Sequence, residues 1–248
     1  MEKSEKKAQI YGLRAIIEAV EAKQPIQKVY LQKGLKGTLA KELEFLLRKD
    51  SISTSYVPVE KLNRLTRNNH QGAIANISPV AFTDFETLIE SIVQEKKSPF
   101  FLLLDGITDV RNFGAIIRTA ECCGVDGIIV PKQGSAPITD DTVKTSAGAA
   151  FRVPIAKVDH LKDALFYLQS HQIKLIAATE KATHDVFNLD ISGPCAIIMG
   201  AEDHGISPSI LKAADHQAKL PLAGAIGSLN VSVACGVFLY EVVRQRLK

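Results

Sequence analysis

Residues 105–124, DGITDVRNFGAIIRTAECCG, decide how this chain is read. They follow the apolar run FFLLL and lead into an apolar-periodic stretch, so the spacing predicts a strand, a polar turn and a helix. That junction is where open α/β sheets keep their ligands. One arginine, Arg118, stands in the predicted helix beside Ala115, Thr119 and Cys122. A guanidinium is rarely buried without an anionic partner, so a structural ion pair and a functional role both stay open for it.

Outward from this stretch the same pattern recurs. FFLLLD, GIIVP, FRVPIA, IKLIAAT and CAIIMG are short apolar runs of strand length, mostly separated by helical spacing. Near-continuous apolar strands alternating with helices imply a mainly parallel sheet covered on both faces. The front of the chain is a smaller α/β unit, with LRAIIEAVEA and LAKELEFLLRK as helices and IQKVYLQ, STSYVPV and GAIANI as strands. Between the two, SPVAFTDFETLIESIVQEKKSP carries a proline boundary, one amphipathic helix and a charged exit. The expected organisation is a first domain over 1–78, a linker helix over 79–98 and a second domain over 99–248.

A chain of 248 residues with 46% hydrophobic content can bury a sizeable core. No apolar run reaches the roughly 20 residues that span a bilayer, and the start MEKSEKKAQIYG is charged, so neither a membrane anchor nor a signal peptide is expected. A cytoplasmic protein follows. The four cysteines form no C-x-x-C pair and are expected as buried thiols. None of the six histidines forms a metal-spaced pair, so no metal site is expected. Residues 1–70 hold 14 Lys and Arg against 8 Asp and Glu, whereas the remainder holds 16 against 19. A basic front end suits contact with phosphates.

No G-x-G and no G-x-x-x-x-G-K-[ST] occurs, which disfavours dinucleotide and P-loop enzymes. Three polar clusters instead follow predicted strands. The first holds Asn112, Gly114 and Arg118; the asparagine and glycine also have plain uses as a cap and a packing position. The second is IIMGAEDHGIS, with Glu202 between Gly200 and Gly205. The third, LPLAGAIGSLNVSVACGVFLYEVVRQR, has Ser228 as a natural helix cap, Asn230 in the first turn, and Val231, Ala234, Val237, Phe238 and Val242 as expected core.

In this order and near these separations, the three stretches resemble the three motifs of the SpoU, or TrmH, family of RNA ribose methyltransferases. IYGLRAIIEAV and NHQGAIANI resemble the small RNA-binding domain of the branch that methylates a guanosine ribose in 23S ribosomal RNA. The resemblance covers about residues 10–246. It implies an α/β fold of the SPOUT type: a mainly parallel sheet tied in a deep trefoil knot, behind a small α/β RNA-binding domain like that of certain ribosomal proteins. It implies S-adenosylmethionine as cofactor, held at Gly200, Leu220 and Leu229 with Thr179, Met199 and Ala201 as neighbours, and close approach of backbone at Gly200 and Gly224.

For catalysis the resemblance implies Arg118, assisted by Asn112, Glu202, Ser228 and Asn230, acting where a ribose 2′-oxygen attacks the sulfonium methyl. Guanidinium groups keep their proton up to about pH 12. Arg118 as base, or as phosphate anchor that polarises the hydroxyl, therefore both stay open. Where many members carry proline after the aspartate of the first motif, this chain has Val110. In the first domain, NRLTRNNHQG offers Arg64, Arg67, Asn69 and His70 for RNA contact, with His70 equally readable as structural. The implied partners are large-subunit ribosomal RNA and a second copy of the chain, with no membrane and no metal. The same chemistry on transfer RNA, and a non-catalytic RNA-binding protein on the same scaffold, are the alternatives.

Overall fold

The computed structural model describes residues 9–247; most of the charged start, Met1–Ala8, lies outside them, and with it the expectation of no signal peptide. The described chain divides into two units, residues 9–81 with 137–140, and residues 82–136 with 141–247.

The first unit is a four-stranded sheet in the order β1-β4-β2-β3, built from β1 (Gln9–Tyr11), β2 (Ile26–Gln32), β3 (Thr54–Val57) and β4 (Ala73–Ile77). Only β2 and β3 run parallel. Helices α1 (Leu13–Glu21) and α2 (Thr38–Lys49) lay Ile16, Ile17, Val20, Leu43 and Leu47 on one face, against Val29 and Leu31. On the other face α3 (Val59–Leu65) seats Leu62 over Val57 and Ile74. Periodicity alone does not reveal β1 or α3. β1 is three residues long, and Gly12, at φ 89°, turns the chain straight from it into α1. A left-handed backbone there favours glycine.

The second unit opens with α4 (Phe85–Glu95), started by Asp84, whose carboxylate accepts the Thr87 N–H. This helix, read from sequence as a connector, packs Ile89, Phe85, Ile92 and Val93 into the core of the unit. Then follow β5 (Phe100–Asp105), α5 (Val110–Cys122), β6 (Gly127–Pro131), α6 (Asp140–Thr145), β7 (Ile155–Val158), α7 (Leu161–Ser170) and β8 (Lys174–Ala178). The chain closes with β9 (His184–Asp185), β10 (Cys195–Gly200), α8 (Pro208–Ala213), β11 (His216–Lys219) and α9 (Val231–Arg246). All seven strands pair in parallel, in the order β7-β6-β5-β10-β8-β11-β9.

The centre of this sheet is dry. Phe100–Leu104, Ile128, Ile129, Leu175, Ile176 and Cys195–Ile198 are all essentially inaccessible, as expected of strands covered on both faces. FRVPIA is corrected: a single 3₁₀ turn spans Ala149–Phe151 and the strand begins only at Ile155, after Pro154. The edge strand β9 and its neighbour β11 are short and polar, which hides them from an apolar-run search. Val110 is the first residue of α5, a position that tolerates proline as readily as valine, so its substitution leaves the helix start in place.

Candidate active site

Three loops meet at the C-terminal ends of β5 and β10 and the start of α9. Asp109 caps α5 by accepting the Asn112 N–H at 2.8 Å, so Asn112 is not the cap, and its side chain points elsewhere. Its Nδ2 donates to Glu202 Oε2 at 3.1 Å. Asn230 Nδ2 donates to Asn112 Oδ1 at 3.0 Å and to Glu202 Oε1 at 3.4 Å. Asn230 Oδ1 in turn accepts from the Ser232 N–H and hydroxyl, at 3.0 and 2.6 Å. Asn230, rather than Ser228, is therefore the cap of α9. One amide side chain both starts a helix and joins two loops, giving a closed cluster of two amides on one carboxylate.

Glu202 is held in a tight turn. Ala201 and Gly205 exchange both backbone hydrogen bonds, at 3.1 and 2.9 Å, and Gly205 takes φ 73°. The crowding at Gly200 comes from this turn, since a Cβ there would lie 2.2 Å from the backbone of Gly205 and Ile206. Gly224, by contrast, has open space around it. Gly114 meets the packing role foreseen for it: a Cβ there would strike Thr145, whose hydroxyl is engaged by the carbonyls of Asp141 and Thr142.

Beside the cluster, at the ends of β8, β10 and β11, lies a cavity of about 110 Å³. Thr179, Met199, Leu220 and Leu229 line it, as does Ser228; Gly200 and Ala201 follow Met199 in the chain but are not among its lining. Sequence reasoning missed Glu180, Leu222 and Gly227, and treated Phe238 as core alone, although it is buried and also forms the floor of the cavity. Residues 221–230 are exposed throughout and belong to no helix or strand, so one wall is an open loop. Apolar Met199, Leu220, Leu222 and Phe238 with the polar rim of Thr179, Glu180 and Ser228 suit a ligand with an aromatic body and hydroxyl groups. S-adenosylmethionine fits that description.

Arg118 answers differently from the sequence question. It is exposed, and among the described residues it makes no hydrogen bond or ion pair. Along its stripe Arg118 and Cys122 are exposed, Ala115 and Thr119 are half-buried, with Thr119 beside Gly236 of α9, and Phe113, Ile116, Ile117 and Ala120 face the core. Cys122 is accordingly corrected to an exposed thiol, whereas Cys123, Cys195 and Cys235 are buried. Burial pushes the Cys123 and Cys195 thiols up to about 11. Val237 is corrected too: with Val233 and Tyr240 it forms an exposed apolar face on α9, beside Phe187.

In the first unit Arg64, Arg67 and Asn69 are exposed, Arg64 in the last turn of α3 and the others in the loop after it. His70 is buried, which fits the structural one of its two readings. Its Nδ1 accepts the Gly72 N–H at 3.0 Å, which leaves Nε2 to donate to Asn63 Oδ1 at 2.9 Å. Both ring nitrogens are spent on holding the loop. Among the described residues no group of three or more His, Cys, Asp or Glu is placed to hold a metal, and no helix is long and apolar enough to cross a membrane.

Comparison with known proteins gives two family matches. Residues 99–240 match the SpoU rRNA Methylase family, and residues 9–83 match RNA 2′-O ribose methyltransferase substrate binding. The 23S rRNA (guanosine-2′-O-)-methyltransferase RlmB of Haemophilus ducreyi is 38% identical over 247 residues, covering 96% of this chain and 98% of that one. Its counterpart from Vibrio vulnificus is 37% identical over 241 residues, covering 96% and 97%. Among solved structures, the SpoU methyltransferase AviRb from Streptomyces viridochromogenes, in complex with the cofactor AdoMet, has the same fold. It superposes with a TM-score of 0.61 at 24% identity, covering 98% of this chain and 91% of that one.

Proposed function

The chain belongs to the SpoU rRNA Methylase family, and from that premise we propose that it transfers the methyl group of S-adenosylmethionine to the ribose 2′-hydroxyl of a guanosine in 23S ribosomal RNA. The observation that carries this reading is the Asn112–Glu202–Asn230 cluster beside a cavity with an apolar wall and a polar rim. When bound, the cofactor supplies a methyl on a positively charged sulfonium, already a good leaving group. What remains for the protein is to position the attacking oxygen and help remove its proton.

Thr179, Met199, Leu220 and Leu229 hold the cofactor, with Gly200 and Ala201 at the strand end next to them. Glu202 accepts from both amides and keeps lone pairs for a ribose hydroxyl, while Asn112 and Asn230 fix its orientation. Ser228, on the cavity rim, adds a hydroxyl that can donate or accept. Arg118 binds a phosphate of the target and polarises the hydroxyl. Arg64, Arg67 and Asn69 contact RNA phosphates and bases.

The reading includes a homodimer. Arg118 has no partner among the described residues, and its stripe of small side chains is accompanied by an exposed apolar face on α9, where Val233 and Tyr240 are each about half exposed. Apolar faces of that kind mark protein contacts. A second copy would cover the face and bring an arginine to each site. The trefoil knot belongs to the same reading, supported by the family match over residues 99–240. The place of action is the cytoplasm, with the ribosomal RNA.

The test is incubation with S-adenosylmethionine and unmodified 23S transcript, then nucleoside mass spectrometry, with Arg118→Ala alongside. The expected result is 2′-O-methylguanosine from the unaltered protein, reduced on the order of 100-fold or more in the variant. No product on this transcript or on a ribosomal precursor would overturn the proposal, and product on transfer RNA alone would replace it with the transfer RNA reading.

A further inference from the structure

The second unit carries a second cavity at the same end of its sheet. In the order β7-β6-β5-β10-β8-β11-β9, the cavity assigned to the cofactor uses the ends of β10, β8 and β11. The second, of about 300 Å³, uses the opposite flank, with Asp105 of β5, Pro131 of β6 and Asp159 just after β7 in its walls. The polar cluster stands between the two. The wall nearest the cluster is made of the same loops: Asp105 leads into the turn to Asn112, and Ser207 follows the turn that holds Glu202. Asp105 ties them together, its Oδ2 accepting the Ser207 N–H at 2.7 Å. A methyl donor on one flank leaves the other flank for the nucleoside whose ribose lies at the cluster.

We propose that this cavity takes the guanine base of the target nucleotide, and that Asp159 is the residue that reads it. The inference rests on the 2′-O-methyltransferase reading and specifies how its substrate is chosen. Guanine presents on its Watson–Crick edge one acceptor, O6, followed by two donors, N1–H and the 2-amino group. Its complement is a donor followed by acceptors. Of this complement the cavity wall offers the acceptors: Asp159 lines it with a carboxylate that only accepts, while Lys132, which is not part of the wall, donates its Nζ to Asp159 Oδ2 at 2.8 Å and holds that carboxylate in place. The Asp159 side chain is 55% exposed against 29% for Lys132, so the carboxylate is the accessible member. Adenine begins with a donor and then an acceptor, which would set its N1 lone pair against the carboxylate. Lys162, exposed on the cavity wall, supplies a cation for the adjoining phosphate. Splayed-out bases held by such edges are the usual route to sequence-specific recognition of RNA.

Asp159→Asn keeps the shape and replaces one acceptor with a donor. With the full-length chain, S-adenosylmethionine and the 23S transcript, it is expected to lower kcat/KM for RNA roughly 10- to 100-fold, mostly through KM. Cofactor affinity by calorimetry should be unchanged, because the cofactor lies on the other flank, and Asp159→Glu should recover part of the loss. A variant whose kcat/KM stays within about twofold of the parent overturns the base pocket alone, as does a loss matched by weakened cofactor binding. Absence of 2′-O-methylguanosine with the unaltered protein overturns the underlying reading, and this inference with it.

Discussion

Gly200 ends β10 so close to the following turn that a Cβ at this position would sit 2.2 Å from Gly205 C and Ile206 N and 2.5 Å from Gly205 O. Ordinary contact between such atoms begins near 3.4 Å, so Gly200→Ala must displace the turn by roughly 1 Å. That turn is closed at both ends by the Ala201–Gly205 hydrogen bonds and moves as a body, carrying Glu202. The Glu202–Asn230 bond, at 3.4 Å, has no slack for such a shift. A misplacement of about 1 Å at a catalytic group costs on the order of 100-fold in rate. Overpacking of this kind costs about 1–3 kcal/mol, which for a chain of this length lowers Tm by roughly 5 °C. Methyl incorporation into 23S transcript and calorimetric melting read the two effects separately. A variant with kcat within about threefold of the parent and an unchanged Tm would refute the claim that this contact sets the position of Glu202.

Other perturbations probe the remaining parts. His70→Ala leaves the buried Gly72 N–H without its acceptor and should destabilise the first unit by about 1–3 kcal/mol in urea unfolding, with a smaller effect on RNA affinity than Arg67→Ala. Lys157, under the Phe82 ring, is held down to about 8 from an ordinary 10.5 by burial, so the unfolded chain binds more protons between those values. Its neutral form contributes stability that is full above pH 10.5 and is lost as the pH falls to about 8; Lys157→Met should raise Tm at pH 7 and lose that advantage above pH 10.5. Val237→Asp on the apolar face of α9 should yield a monomer by light scattering and reduce methylation, while cofactor-independent folding by circular dichroism is retained.

Much of the site was legible as residue types without positions. The run CAIIMG ahead of GAEDHGIS marks a buried strand entering a tight turn, and the turn is there, closed between Ala201 and Gly205. Gly114 reads as a packing glycine and serves as one against Thr145. Capping was harder to read. Ser228 and Asn230 are both good cap residues, and only the path of the exposed loop over residues 221–230 selects Asn230. His70 sits in a polar, basic stretch that resembles an RNA loop, but its two ring bonds turn it inward, and local composition cannot report a buried histidine. The exposure of Arg118 and of Val237 was hidden for a shared reason. Helical spacing tells which residues share a face, but not whether that face meets the core or the solvent.

By itself the sequence determined the class of fold and the chemical inventory. Continuous apolar strands such as FFLLLD and CAIIMG can be satisfied only with both faces covered, and that requirement is local enough to read one strand at a time. Tertiary structure alone decided which strands are neighbours. Asn112 and Glu202 are 90 residues apart, and Asn112 and Asn230 are 118 apart, yet they join because β10 pairs with β5 and α9 starts beside that pair. Strand pairing uses backbone groups that every residue shares, so side-chain periodicity carries no record of the partner. The same strand order put one cavity on each flank of the cluster.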